Sequence, residues 1–254
     1  MNEVKKKKKT GRMEPTINAD IIDELEPVRA LTLAEKAYRR LEEMIVTLRL
    51  APGEVLSEAE LAKKMKIGRT PIREALQRLS REGLVSILPW RGVLVSEINI
   101  KTQMQLLEVR REVEGLMARL AAVRATDEER SCFYTLAEAL DQAAAEKDAI
   151  LFIQLDRQLN MLWSRAARND FIAKSMSLMQ GLSRRFWYVH CSQVADLPLV
   201  ARLHAKVART IGNGAAEEAE QASNTLNEYV ELCTRTAIDT TQSSLPVSFP
   251  GVRV

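Results

Sequence analysis

The sequence predicts a mainly α-helical protein built in two parts, and three observations carry that prediction. Aromatic residues make up only 5% of the 254 residues, while alanine, leucine, glutamate and arginine are plentiful, a bias that favours helix. Residues 31–98 read as three short helices followed by two β-like runs. From Asn99 onward no further strand pattern occurs, and six helical segments follow.

The elements are justified in order by their start and stop signals. Thr32-Leu-Ala-Glu35 has the spacing of a capping box and opens a helix to about Arg49, with Leu33, Ala37, Leu41, Met44, Ile45 and Leu48 on its apolar stripe. Pro52-Gly53 breaks it, and Ser57-Glu-Ala-Glu60 opens a second, short helix ending near Met65. Thr70-Pro71 supplies an N-cap with proline behind it for a third helix that runs to Arg81, where Gly83 ends it. Leu84–Leu88 and Val93–Glu97 are strand-like, with Pro89-Trp90-Arg91-Gly92 as the hairpin loop between them. The six later helices are expected at about 100–123, 127–146, 149–168, 171–192, 198–211 and 215–238. Thr126-Asp-Glu-Glu129 caps the second of them, and breaks fall at Arg168-Asn169-Asp170 and Gly212-Asn213-Gly214.

The domains expected are a basic arm over 1–30, a DNA-binding domain over 31–98, a six-helix antiparallel bundle over 99–238 and a flexible tail over 239–254. Lys5 to Lys9 are five successive like charges that repel one another and cannot pack. Such an arm either touches phosphates non-specifically or solubilises the chain. No apolar run approaches the roughly 18–20 residues that span a bilayer. The lysine-rich start lacks the apolar core of a signal peptide, so a cytoplasmic, nucleoid-associated protein is expected. Cys132, Cys191 and Cys233 are widely spaced, form no CxxC pair and read as core residues. There is no HExxH, P-loop or nucleophile elbow, and with only two histidines the chain does not read as an enzyme.

Charge distribution points to a partner. The net charge is only +3, yet residues 63–91 hold eight basic and two acidic side chains. Such clustering is the electrostatic footprint of a nucleic-acid binder. Helix, short helix, turn, helix and β-hairpin is the order of a winged helix-turn-helix. In the third helix Ile72, Ala75, Leu76 and Leu79 form an inward stripe. Arg69, Thr70, Arg73 and Gln77 lie on the other side, at the end a recognition helix directs into the major groove. Arginine suits the two acceptors of guanine, while threonine and glutamine suit phosphate or adenine. Trp90 and Arg91 sit at the hairpin tip, where a wing touches the minor groove or backbone. Arg78 and Arg81 fall nearer the helix C-terminus and suit a role complementing its dipole.

The stretch LSEAELAKKMKIGRTPIREALQRLSREGLVSILPWRGVLV (56–95), with R-T-P-I-R-E-A-L-x-x-L followed by E-G-L-V and P-x-R-G, resembles the DNA-binding domain of the GntR family of bacterial regulators. The resemblance implies DNA contacts at Arg69, Thr70 and Arg73 and in the wing around Arg91 and Gly92. Two positions depart from the family pattern: Gly68 stands where a small hydroxyl residue is common, and Ala59 where some members carry a contacting arginine. Residues 106–122, 152–170 and 203–222 resemble the FadR-type effector domain called FCD, a helical bundle around a central pocket. In many members one Asp and three His hold a divalent metal there, and the metal helps bind a carboxylate.

That metal pattern is incomplete here. The family positions correspond to Asp156, Asn160, His204 and Leu226, with Asn227 available only after a one-residue shift. Asp156 and His204 are the weak metal candidates, and no metal or other cofactor is expected, because an amide oxygen suits transition metals badly. A pocket is still expected. Phe152, Asp156, Asn160 and Trp163 share one helical stripe, and His204 is in phase with Val200, Val207 and Ile211. Arg110 matches an arginine of the family's first effector helix and suits a carboxylate, or else forms an i,i+4 pair with Glu114. Arg184 and Arg185, beside Phe186, Trp187 and Tyr188, suit an aromatic or anionic ligand or a dimer interface; Arg185 is the expected contact.

The sequence therefore predicts a dimeric transcriptional repressor. Two recognition helices would occupy successive major grooves of a palindromic operator, which the resemblance implies has a GT…AC core. A small-molecule effector, such as a carboxylate or aromatic acid, would release it, with the hinge near Asn99. The alternative is an architectural DNA binder that takes no effector.

Overall fold

The structure is a computed structural model and describes residues 31–191 and 195–243. The basic arm expected over 1–30 and residues 244–254 of the expected tail lie outside the described residues. Two apolar cores divide the described residues into two parts.

The first part runs from helix α1 (Leu33–Val46) through strand β1 (Val55–Leu56), helices α2 (Glu58–Met65) and α3 (Arg69–Arg81) to strands β2 (Val85–Leu88) and β3 (Gly92–Val95). Thr32 caps α1 by accepting the Glu35 N–H at 3.1 Å. The Glu35 carboxylate does not return to Thr32; it pairs with Arg39 and Arg78, so only half of the box forms. Helix α1 stops three residues short of Arg49, because Leu48 takes up a left-handed conformation at φ 58°. The N-cap of α3 is Gly68, not Thr70, and α3 begins at Arg69. Pro71 is the third helical residue, still among the first N–H positions that have no intrahelical partner, so the ring costs nothing there.

The sheet has three strands, where the sequence suggested two, in the order β1-β3-β2 and antiparallel throughout. The Pro52-Gly53 turn places β1: the Gly53 N–H donates to Val95 O at 3.0 Å and the Val95 N–H donates to Glu54 O at 2.9 Å. Gly92, expected as part of the DNA-contacting wing, has a structural task. Its φ is +100°, and a Cβ there would lie 2.8 Å from the Leu56 carbonyl oxygen. Only glycine lets β1 and β3 approach so closely at that φ. Gly92→Ala is expected to cost about 1–3 kcal/mol, seen as a lower melting temperature of the DNA-binding domain. An unchanged melting profile would show that the wing relaxes freely around Leu56.

The second part comprises helices α4 (Ile100–Arg124), α5 (Asp127–Glu146), α6 (Ala149–Ala166), α7 (Asp170–Phe186), α8 (Leu197–Gly212) and α9 (Ala216–Ser243). Asn99, the expected hinge, is the N-cap of α4, its side chain accepting the Thr102 N–H at 3.1 Å. The Thr126–Glu129 capping box is complete, with bonds of 3.3 and 3.0 Å. The helix expected over 171–192 is instead α7 followed by a π-helical turn, Trp187–Cys191. Residues 239–243, expected in the flexible tail, continue α9. All three cysteines are buried thiols.

The two parts meet along α7. A Cβ on Gly181 would lie 2.8 Å from Leu84 Cδ1, so glycine permits close approach of α7 to the DNA-binding domain. Leu182 packs on that domain's core. Arg184 and Arg185 then reach back to Glu42 of α1 and to the Glu97 carbonyl of the linker.

Candidate functional site

The outer face of α3 is built as the sequence predicts. Ile72, Ala75, Leu76 and Leu79 are buried, and Arg69, Thr70, Arg73 and Gln77 are exposed. Arg69, Arg91 and Gly92 come together around a shallow groove of about 440 Å³ whose other wall is Val55–Ala59. The N-terminal end of α3 and the wing thus form one surface. Trp90 stands fully exposed at the hairpin tip, at φ 63°.

Arg73 is not idle without a partner molecule. Its Nε and Nη2 donate to Glu58 of α2 at 3.1 and 2.8 Å. That hydrogen bond holds the Glu58 carboxyl below the usual carboxylate range. Both side chains are solvent-accessible, so a phosphate can replace Glu58 at little cost. Arg78 plays no part in this surface. Its guanidinium lies 3.5 Å above the Tyr38 ring and pairs with Glu35 and Glu82 at 2.9 and 3.1 Å. It ties α3 to α1.

The second candidate site lies within the bundle, a small, partly open cavity of about 40 Å³. Arg110, Asp156 and His204, all expected there, line it. Phe152, Ile153, Val200 and Val230 form apolar walls, and Ser183, Arg184 and Trp187 close it from α7 and the π-helical turn.

Asp156 is the hub. Its Oδ1 faces His204 Nε2 at 3.1 Å and accepts from Asn160 Nδ2 at 2.9 Å, while its Oδ2 lies 3.7 Å from Arg184 Nη1. Burial alone would push the Asp156 carboxyl up. The His204 hydrogen bond and charge, then Arg184 and Arg110, outweigh burial and hold it below its ordinary value. His204 Nδ1 faces the Val200 carbonyl at 2.8 Å, so both ring nitrogens meet oxygen acceptors.

Four of the expected pocket residues are placed elsewhere. Asn160 is buried one step behind Asp156 and accepts from Gln180 at 3.3 Å. Trp163 is buried in the bundle core. Asn227 donates to Glu114 Oε2 at 2.8 Å, and the same Glu114 receives Arg110 Nε at 2.9 Å. The i,i+4 reading of Arg110 therefore holds together with its place on the cavity wall. Arg185 is buried against the linker, donating to Glu97 O at 2.9 Å. The cation that reaches the cavity is its neighbour Arg184. Both are buried because α7 packs against two domains at once, which no single-helix stripe reveals.

The winged domain with a solvent-facing cationic helix, joined to a helical bundle with a charged internal cavity, defines a DNA-binding regulator with an effector domain. The chain carries a GntR-type DNA-binding domain followed by an FCD domain. Residues 33–95 match the model described as bacterial regulatory proteins of the gntR family, and residues 105–228 match the FCD domain. It is 32% identical over 133 residues to the Nta operon transcriptional regulator of Aminobacter aminovorans, covering 52% of this chain and 63% of that one. It is 28% identical over 191 residues to the HTH-type transcriptional repressor RspR of Escherichia coli K12, covering 74% of this chain and 82% of that one. Among solved structures, E. coli McbR/YncC superposes with a TM-score of 0.65 at 20% identity, covering 84% of this chain and 100% of that one. A putative GntR regulator from Rhodococcus sp. RHA1 gives 0.56 at 20% identity, covering 81% and 97%. These two show the fold. No helix among the described residues is long and apolar enough to cross a membrane.

The family's metal does not fit the donors present. Asp156 Oδ1 already meets two nitrogen donors, Asn160 offers only an amide, and Leu226 is a buried hydrocarbon. Two nitrogen- and carboxylate-type donors and an amide fall short of a transition-metal site.

Proposed function

We propose that the chain is a homodimeric repressor that releases a palindromic operator when a small, metal-free effector enters the FCD cavity. The observation that carries the DNA half is the exposed row Arg69, Thr70, Arg73 and Gln77 on α3, continuous with Arg91 of the wing. Among the described residues, Asp156 and His204 are already paired with one another and with their neighbours. The alternative of an architectural binder leaves the charged internal cavity without a task.

Dimerisation is supported by a face that water covers poorly. Val109, Leu116 and Val123 are exposed at seven-residue intervals along α4, and Phe171 and Leu178 are exposed on α7. Helices α4 and α7 run antiparallel, as Arg110 meets Ser183 while Arg124 donates to Ala167 O. Val123 is therefore level with the start of α7. A second copy burying this face would give the assembly two recognition helices, as the two half-sites of a palindrome require. Leu116→Glu with Val123→Glu is expected to yield a monomer in sedimentation analysis. The pair should also weaken selection of a palindrome from a randomised DNA pool by more than tenfold. A dimer that survives both substitutions would place the two-fold axis elsewhere, and a wild-type protein that selects no sequence would overturn the repressor reading.

A further inference from the structure

We propose that Arg184 takes the place of the family's metal: its guanidinium binds a monocarboxylate effector directly, and in doing so lets go of Glu42 on the DNA-binding domain. The inference rests on the reading of the bundle cavity as the effector site and names its ligand class and its transmission.

The cavity contains two buried donors that lack a hydrogen-bond partner, Arg184 Nη1 and Trp187 Nε1, and both residues line it. The Arg184 side chain is nine-tenths buried. Buried donors left without acceptors are costly, and an incoming pair of carboxylate oxygens satisfies both at once. The remaining walls, Phe152, Val200 and Val230, suit an apolar body behind the carboxylate.

Charge balance links this binding to the DNA-binding domain. Three buried carboxylates already draw on the cations here: Glu114 pairs with Arg110, while Glu42 and Asp156 both face Arg184. A fourth carboxylate would leave an uncompensated buried negative charge, which the interior does not tolerate. It can enter only by displacing one of the three, and Glu42 is the one that belongs to another domain. Ser183, Arg184 and Trp187, from α7 and the π-helical turn, form one side of the cavity, so a ligand seated there bears on α7. Helix α7 carries Gly181, Leu182, Arg184 and Arg185, the contacts that hold the DNA-binding domain. The ligand thus has a different affinity for the two domain arrangements, as effector-driven release requires.

The test titrates the full-length protein, kept in EDTA, with acetate, butyrate, benzoate and phenylacetate, following tryptophan fluorescence and thermal shift. At least one acid is expected to saturate the wild type without added metal. Arg184→Met should weaken it at least tenfold, and Glu42→Gln should tighten it several-fold by removing the competitor. Hydrogen exchange on the wild type gives a readout that needs no variant: the bound acid should speed exchange around Glu42 in α1 and slow it in α6 and α8. A purely structural Arg184–Glu42 pair predicts no tightening in Glu42→Gln and no loosening of α1. Binding that requires a divalent metal, or no binding by any of the four acids, overturns the proposal. If a neutral compound then releases the operator through the same cavity, the repressor reading stands and only the anion assignment fails.

Discussion

Arg69→Ala and Arg73→Ala each weaken specific operator binding by about 10- to 100-fold, and the double variant keeps only salt-sensitive, non-specific affinity. The expectation follows from position. Both side chains leave the first turns of α3 on its solvent face, and Arg69 shares a groove with the wing residue Arg91. An arginine so placed contributes either a two-pronged contact to guanine or a phosphate contact, and the two separate by measurement. Loss of a base contact relaxes sequence preference at one position. Loss of a phosphate contact weakens all sequences alike and lowers the salt dependence by about one ion. Arg73 starts from a hydrogen-bonded pair with Glu58 and must leave it, whereas Arg69 feels Glu58 only through its charge. Glu58→Gln should therefore change affinity by less than Arg73→Ala, and in the direction of tighter binding. Gel-shift affinities unchanged in both arginine variants would remove α3 from the DNA interface.

The same surface shows what a sequence alone can specify. The apolar stripe of α3 is a pattern of period 3.6, and the buried residues are the four it names. The Thr126–Glu129 box is local chemistry, and both of its hydrogen bonds form. Strand β1 escaped notice because two residues are too short to alternate; its existence depends on the Gly53 turn bringing it to β3. The helix start at Gly68 was missed because the backbone caps α3 without help from a side chain. In the cavity, Arg110, Asp156 and His204 were legible from family positions and helical phase. Arg184 was not, because its role arises from two domains meeting at α7. Asn227 was mistaken for a pocket residue because its buried amide is spent on Glu114, a partner 113 residues away. The signal that existed was the adjacent pair Arg184-Arg185 in an aromatic run, which flagged the segment but not which arginine turns inward.

Asp156→Ala is expected to destabilise the effector domain by about 3–5 kcal/mol, the usual cost of leaving buried opposite charges without their partner. The substitution leaves the His204 ring and the Arg184 guanidinium facing a void, and leaves Asn160 Nδ2 only the backbone carbonyl of residue 156 as acceptor. It therefore cannot serve as a clean probe of effector response, although Asp156 lines the cavity. Asp156→Asn is the gentler variant, since it fills the same volume and keeps an acceptor. The wild type should melt higher than either at neutral pH. Acid should then close the gap in a defined direction. The folded-state Asp156 carboxyl titrates below its ordinary value. Its contribution is thus fully present above the unfolded value near pH 4 and fades as the pH falls through the lower folded value. Melting curves of wild type and Asp156→Asn between about pH 6 and pH 3 should converge on acidification. A gap that stays constant would assign the loss to packing, and a gap below about 1 kcal/mol at pH 6 would mean the Asp156–His204–Arg184 cluster offsets no more than its own desolvation.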